Sequence, residues 1–276
     1  MSGSSRLYKG ELILDDSTSE GQLMDMMQGF ERGYEPEGRP EGYGYGSYAA
    51  KFDSSLLIPE SEWQARIQEA EQQGSRISDI LTRLRIPHKD QASTNYCWAN
   101  GPCHAAETLR AIQNLPYVSL SPASVAAPIT GFRNVGGWGL EAIKRAISVG
   151  FVPSSLWPDN AIDRRLQTSV ALTEASKYRI REWTECKPRV RAESISMAIR
   201  GMPGSLGFNW WGHLVMGCEA VWLDGEVALR IRNSWKGWGA NGFGIVRGAK
   251  MLADDAVYPV SVRASAGGAK GAAGTS

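Results

Sequence analysis

Cys97 lies in the run Gln91-Ala92-Ser93-Thr94-Asn95-Tyr96-Cys97-Trp98-Ala99, where the residue pattern predicts that a helix begins. Thiol chemistry needs a lowered thiol pKa, a donor for a developing oxyanion and a base. A helix N-terminus favours the thiolate, and Gln91 brings an amide into the same loop. The base must come from elsewhere, and only three histidines are available. His104 follows Cys97 by seven residues. That is about 10 Å along a helix axis, whereas proton transfer needs about 3 Å. His88 sits in the loop before Gln91, and geometry does not exclude it. His213 opens the strand-like run Gly212-His213-Leu214-Val215-Met216 and is the better candidate. Asn233, in Arg230-Ile231-Arg232-Asn233-Ser234-Trp235, ends the next such run. Antiparallel neighbours would set it beside His213 as an orienting partner, with Trp235 covering their hydrogen bond.

The elements that must position these residues are legible in part. Leu56-Leu57-Ile58-Pro59 opens the body, Ser61 and Gln64 fit a capping box, and Trp63, Ile67 and Ala70 share a helical face. Ile77, Ile80, Leu81 and Leu84 predict a second helix that ends before Pro87. A third spans 97–112, with Gly101-Pro102 in its first turns as a place where a hydrogen bond is lost. Residues 140–149, closed by Gly150, and 192–200 complete the helical reading. Strands are expected over 205–208, 213–222, 227–233 and 243–247, with Asp224-Gly225 as a hairpin turn. A helical half followed by a strand-rich half predicts an α+β protein of two lobes with a cleft between them. Residues 1–55 read as an extension: a short helix around Leu23, Met24, Met27 and Phe30, then a Gly/Tyr/Pro/Glu-rich linker over 33–48. Residues 264–276 read as an Ala/Gly-rich disordered tail.

Taken together, Gln91, Cys97-Trp98-Ala99, His213 and Asn233-Ser234-Trp235 followed by Gly237-Trp238-Gly239-Ala240-Asn241-Gly242-Phe243 resemble the papain-like cysteine peptidases. The match runs over roughly residues 56–250. Leu120-Ser121 resembles the segment after that family's catalytic helix, and Asn134-Val135-Gly136-Gly137-Trp138 its glycine pair and aromatic residue. Ile58–Trp63 is similar to the start of a mature enzyme, with an extra helical insertion behind it. The resemblance implies a papain-like two-lobe fold over 56–263, with a helical left lobe, an antiparallel β-barrel-like right lobe and the active site in the cleft. It implies that Cys97 is the nucleophile, His213 the general base and then acid, and Asn233 its orienter. Gln91 and the Cys97 N–H would form the oxyanion hole. Gly136 and Gly137 would offer backbone groups to an extended peptide, and Trp138 an apolar wall.

The chain also departs from that pattern. Thr94 and Val135 or a neighbour of it stand where the family often carries a disulfide-bridged cysteine pair. Lys236 replaces the glycine after Asn-Ser-Trp, and Gly212 precedes His213 where Asp or Asn is common. Only Trp210-Trp211-Gly212 separates the strand 205–209 from His213, so substrate preference does not carry over. Residues 1–55 lack the Arg- and Asn-studded helical pattern of the usual inhibitory propeptide, and latency by that route is not expected.

Composition narrows the function classes. The 276 residues are 42% hydrophobic and 21% charged, with a net charge of +1. No whole-chain field points to nucleic acid or a membrane as partner. The charge is uneven: residues 1–60 hold 11 acidic and 5 basic side chains, and the remainder 18 and 25. An acidic arm of this kind is either solvated or docked on the basic body. No apolar run suits a membrane span, and the N-terminus lacks the apolar core of an export signal. The four cysteines have no disulfide-framework spacing, so free thiols and a cytoplasmic or other intracellular location are expected. Cys103, Cys186 and Cys218 read as small buried hydrophobes. Cys103 and His104 point apart on a helix, and neither a metal nor another cofactor is expected. The resulting reading is a cysteine peptidase that acts on a peptide or protein substrate through an acyl-enzyme thioester. An amidase or transpeptidase would share its first half-reaction. The alternative class is a structural or assembly protein, such as a virion component. It would retain the fold, perform at most self-processing and dock a partner through the N-terminal extension.

Overall fold

Residues 7–8, 10–39 and 41–262 are described by the computed structural model, and the tail 264–276 lies outside the described residues. The segment read as an extension is woven into the sheet. Strands β1 (Leu7–Tyr8) and β2 (Glu11–Leu14) pair antiparallel, and helix α1 (Glu20–Met27) follows a Ser19/Gln22 capping box. The segment ends with strand β3 (Ala50–Lys51) at the far edge of the same sheet.

The body begins with α2 (Glu60–Gln72) and α3 (Ile77–Arg83). Pro59, not Ser61, is the N-cap of α2; Ser61 lies inside the first turn, so the expected capping box does not form. Next come α4 (Cys97–Ile112), α5 (Ala123–Ile129), α6 (Gly139–Ser148) and α7 (Ser169–Ala175). The remainder is β4 (Ile180–Cys186), α8 (Arg191–Ile199), β5 (Gly204–Phe208), β6 (His213–Leu223), β7 (Glu226–Arg232), β8 (Phe243–Val246) and β9 (Asp255–Val262). The strand order is β1-β2-β8-β7-β6-β5-β9-β4-β3. From β8 through β4 every neighbouring pair is antiparallel. The N-terminal segment joins that antiparallel body by two parallel pairings, β2 with β8 and β3 with β4.

Two apolar cores follow from this arrangement. One gathers Trp98, Trp138, Trp157, Leu140, Ile143 and Phe151 among helices α4 to α7. The other fills the space between the sheet and helices α2 and α8, with Trp63, Ile67, Ile195, Met197, Leu206 and Leu229. Helix α4 joins the lobes by lying against β6. A Cβ on Gly101 would stand 2.1 Å from Leu214 Cδ2, so glycine is what permits that approach. The same packing brings the first residue of α4, Cys97, to the first residues of β6. Pro102 is accommodated inside the helix. The mixed α+β architecture with a helical lobe and a strand-rich lobe agrees with the sequence reading. Among the described residues no helix is long and apolar enough to cross a membrane.

Candidate active site

His213 is the first residue of β6 and Asn233 directly follows β7, the antiparallel neighbour of β6. Their side chains meet: His213 Nε2 lies 2.7 Å from Asn233 Oδ1. That oxygen also accepts the Ser234 N–H at 2.7 Å, so Nε2 is the donor of the pair. The neutral ring then carries its lone pair on Nδ1, which is buried and has no hydrogen-bond partner. Trp235 lies over the imidazole with centroids 4.1 Å apart, and Trp211 flanks it at 5.0 Å. The two indoles exclude water from the His213–Asn233 bond.

Cys97 opens α4 with no side-chain cap at Tyr96. The amides of Leu214, Gly33, Trp98 and Tyr34 face its sulfur. Leu214 is the residue after His213, so nucleophile and base candidates converge where α4 packs on β6. Gln91 is held from three sides. Its N–H donates to Ser234 O at 2.8 Å, its Oε1 accepts the Ser234 hydroxyl at 2.6 Å, and its Nε2 donates to Thr94 O at 2.9 Å. The remaining Nε2 hydrogen points into the cleft.

The place of the missing disulfide staple is taken by amides. Asn95 N donates to Asn134 Oδ1 at 2.7 Å, Asn134 Nδ2 donates to Ser93 O at 2.9 Å, and Asn95 Nδ2 donates to Asn134 O at 3.3 Å. These bonds tie the loop before Cys97 to the loop of the glycine pair. All four cysteines are free.

The cleft is filled by the protein's own N-terminal segment. Glu31 O accepts from Gln91 Nε2 at 2.9 Å and from Trp235 Nε1 at 3.0 Å. Gly33 N–H donates to Cys97 Sγ at 3.3 Å. Tyr34 pairs with Gly137 as a parallel bridge: Glu35 N donates to Gly137 O at 3.0 Å, and Gly137 N donates to Gly33 O at 2.8 Å. A Cβ on Gly136 would meet Glu35 Oε1 at 2.3 Å, and one on Gly33 would meet Asn95 O at 1.9 Å. Glycine at both positions lets strap and wall touch. Trp138 is buried behind this contact and donates through Nε1 to Asp255 Oδ2 at 2.7 Å.

Burial under this strap sets the electrostatics. It pushes the Cys97 thiol up to about 11, against the lowering by the surrounding amides. Burial also drives His213 down to about 3, against the bond to Asn233 and aided slightly by Arg32. Both groups are therefore neutral while the strap is in place.

Every residue singled out from sequence, Gln91, Cys97, His213, Asn233, Gly136, Gly137 and Trp138, lies on this cleft or directly behind it. The alternative base does not share the arrangement. His88 Nε2 bonds the Asn233 main-chain carbonyl at 2.6 Å, behind the orienting residue. His104 is buried within α4. Sequence reasoning missed Ser234, the Asn95–Asn134 clamp, Asp255 and the strap residues Glu31, Gly33 and Tyr34. Only the glycines of the 33–48 stretch hinted that backbone there approaches something closely.

No family model matches the chain, and no curated protein matches it in sequence. Solved structures do match in fold. The cysteine protease xylellain from Xylella fastidiosa aligns with 84% of this chain and 96% of its own, at 18% identity and a TM-score of 0.58. A recombinant stem bromelain precursor aligns over 79% and 76%, at 16% identity and a TM-score of 0.57. Digestive procathepsin L 3 of Tenebrio molitor aligns over 63% of this chain, at 17% identity and a TM-score of 0.55. The match spans 66% of that procathepsin, just under two thirds of its length. The fold is that of the papain-like cysteine peptidases.

Proposed function

We propose that this chain, built on the papain-like fold, is a cysteine peptidase that rests in a latent state, its cleft covered by residues 31–35. The observation that carries the reading is that the cleft holds an extended peptide backbone. One carbonyl, from Glu31, sits on the Gln91 amide, and Gly137 bonds the next residues through both its N–H and its C=O.

With a substrate in place of the strap, Cys97 Sγ attacks the scissile carbonyl carbon and His213 Nδ1 takes the thiol proton. Asn233 holds Nε2 and stabilises the imidazolium that forms. The oxygen of the tetrahedral intermediate rests on Gln91 Nε2 and the Cys97 N–H, a pair of donors each worth about 3–4 kcal/mol in such sites. Collapse breaks the C–N bond, His213 returns the proton to the leaving amine, and the acyl group stays on sulfur as a thioester. Water activated by His213 then releases the acid. The strap escapes this sequence because the wrong atoms face the sulfur. Gly33 presents its N–H to Cys97, while the carbonyl on Gln91 belongs to Glu31, two residues away.

The burial of Cys97 favours a second reading, a protein that keeps the fold without turnover. One experiment separates the two. Gly33→Ala in the full chain puts a methyl group against Asn95 O and expels the strap. The peptidase reading expects stoichiometric labelling of Cys97 by a thiol-directed epoxide and hydrolysis of a denatured protein substrate. Both should be lost on adding Cys97→Ala, with the circular dichroism unchanged. A folded Gly33→Ala protein that neither labels nor hydrolyses leaves the non-catalytic reading standing.

A further inference from the structure

Independently of turnover at Cys97, we propose that the cavity behind Asn233 is a binding site for a phosphate-type dianion, anchored by Arg232. The cavity measures about 300 Å³ and lies where the end of α3 and the loop after it meet the end of β7 and the start of β8. Its charged lining is Arg85 and Arg232, with His88 and Asn241 beside them. No carboxylate is among the described residues that line it.

Arg232 is the last residue of β7 and is only 1% exposed. A guanidinium so deeply buried is costly unless acceptors fill its fork. Here Nη2 donates to Ile86 O at 3.2 Å, whereas Nε and Nη1 have no partner. Phe243 covers one face, with its ring centre 5.0 Å from the guanidinium carbon. Glu107 attracts Arg232 through space, but its own ion pair is with Lys89 at 2.8 Å. The nearby Cys218 thiol stays protonated, because burial holds it well above its ordinary range. Among the described residues the Arg232 cation therefore has no anion at ion-pair distance, and it forms a wall of the cavity.

The remaining donors set the ligand class. Arg85 and Asn241 make no side-chain hydrogen bond or ion pair among the described residues. A guanidinium presents parallel N–H groups to two oxygens of one phosphate, and two arginines balance a charge of −2. His88 adds a titratable group. Its Nε2 donates to Asn233 O at 2.6 Å, so the neutral ring carries its lone pair on Nδ1. Burial chiefly lowers the His88 pKa; the bond to Asn233 O opposes this, Arg232 adds to it and Asp90 works against it. A dianion in the cavity opposes the lowering and draws a proton onto Nδ1. Chloride matches neither the charge nor the fork. The volume beyond one phosphate ion, against Leu81 and Pro87, admits the carbon group of a phosphate monoester.

The test uses the full-length protein with isotope-labelled histidines, of which there are three. It is titrated with inorganic phosphate and with phenyl phosphate at an ionic strength held constant by chloride. NMR locates the binding, His88→Gln assigns the resonance, and calorimetry gives the affinity of each variant. The expected result is a saturable shift at His88, with His213 unmoved and the His88 pKa raised at saturation. Arg232→Met should weaken binding about tenfold or more, with Arg232→Lys, which keeps the charge without the fork, in between. Arg85→Met, at an exposed position, should weaken it less. Tighter binding of the ester supports the site and assigns the apolar wall to the carbon group; equal binding supports it as a site for the free ion. A response that does not saturate, a shift that chloride reproduces, or undiminished affinity in folded Arg232→Met would overturn the assignment. Should Arg232→Met fail to fold, unchanged affinity in Arg85→Met would overturn it instead.

Discussion

Cys97 stands at the first position of α4, where the helix dipole and nearby amides favour the thiolate. Yet burial prevails, because a helix terminus contributes about 1 kcal/mol whereas complete desolvation of a charge costs several. On the proposed opening, Cys97 gains water and loses the Gly33 and Tyr34 amides, while the Leu214 and Trp98 amides stay with it. Ser234 ties Gln91 to Asn233. Its hydroxyl fixes Gln91 Oε1, its carbonyl accepts the Gln91 N–H, and its own N–H holds Asn233 Oδ1. Ser234→Ala removes only the first of these. In the Gly33→Ala background it should lower kcat about tenfold by loosening the oxyanion donor, while KM and the pH profile stay unchanged. A rise in KM at constant kcat would instead assign Ser234 to shaping the cleft.

At the scale of elements, the loop carrying Gln91 is anchored by a buried cation. Lys89 Nζ lies 2.8 Å from Glu107 Oε1 on α4 and 2.9 Å from Asp159 Oδ2, and donates to Leu120 O at 2.6 Å. Burial raises the Glu107 carboxyl and Lys89 opposes that rise. Removing the lysine leaves an uncompensated charge inside the helical lobe. Lys89→Met should therefore cost about 3–5 kcal/mol in urea unfolding, and Lys89→Met with Glu107→Leu should recover most of it. An equal loss in the double variant would argue that the triad is stabilising in itself. The N-terminal segment is anchored differently. β2 pairs with β8 and buries Ile13 and Leu14. Truncating the first 50 residues would strip the sheet edge as well as the cleft, so a point change at Gly33 is the cleaner way to open the site. The sequence pattern missed α5 because Ala123 to Ala127 are all buried, which leaves no polar face to set a helical period.

For the whole molecule, the proposed latency predicts a coupling to pH through His213. Its pKa falls from an ordinary 6.5 to about 3 in the covered state, through burial first, with the Arg32 charge adding to it. A depressed pKa contributes stability that is present above 6.5 and is lost as pH falls towards 3. Cys97, raised from 9.0 to about 11, works at the other end, where stability is lost as pH rises from 9 to 11. The covered state should thus hold best between about pH 6.5 and 9. Below that window, uptake of one proton by His213 on opening raises the opening constant by up to tenfold per pH unit. Amide exchange of residues 31–36, corrected for its intrinsic pH dependence, should follow that slope between pH 6.5 and 5, and His213→Ala should flatten it. An opening constant that does not change over this range would remove His213 as the switch.

What the sequence determined by itself was the set of chemical groups and the elements beneath them. Gln91, Cys97, His213 and Asn233 stand in local patterns that survive without tertiary information. The helix over 97–112 and the strands opening at His213 and closing before Asn233 follow from spacing. The covering strap was not legible, because Glu31 to Glu35 bond the cleft through backbone groups that every residue owns. The absence of a helical propeptide pattern spoke only against latency by that route, and an extended segment needs no such pattern to occupy a cleft. The Asn95–Asn134 clamp and the Tyr34–Asp255 contact, which joins residues 221 positions apart, arise only when the chain closes on itself. Tertiary structure decided whether the site is open, because access to a cleft depends on what lies across it.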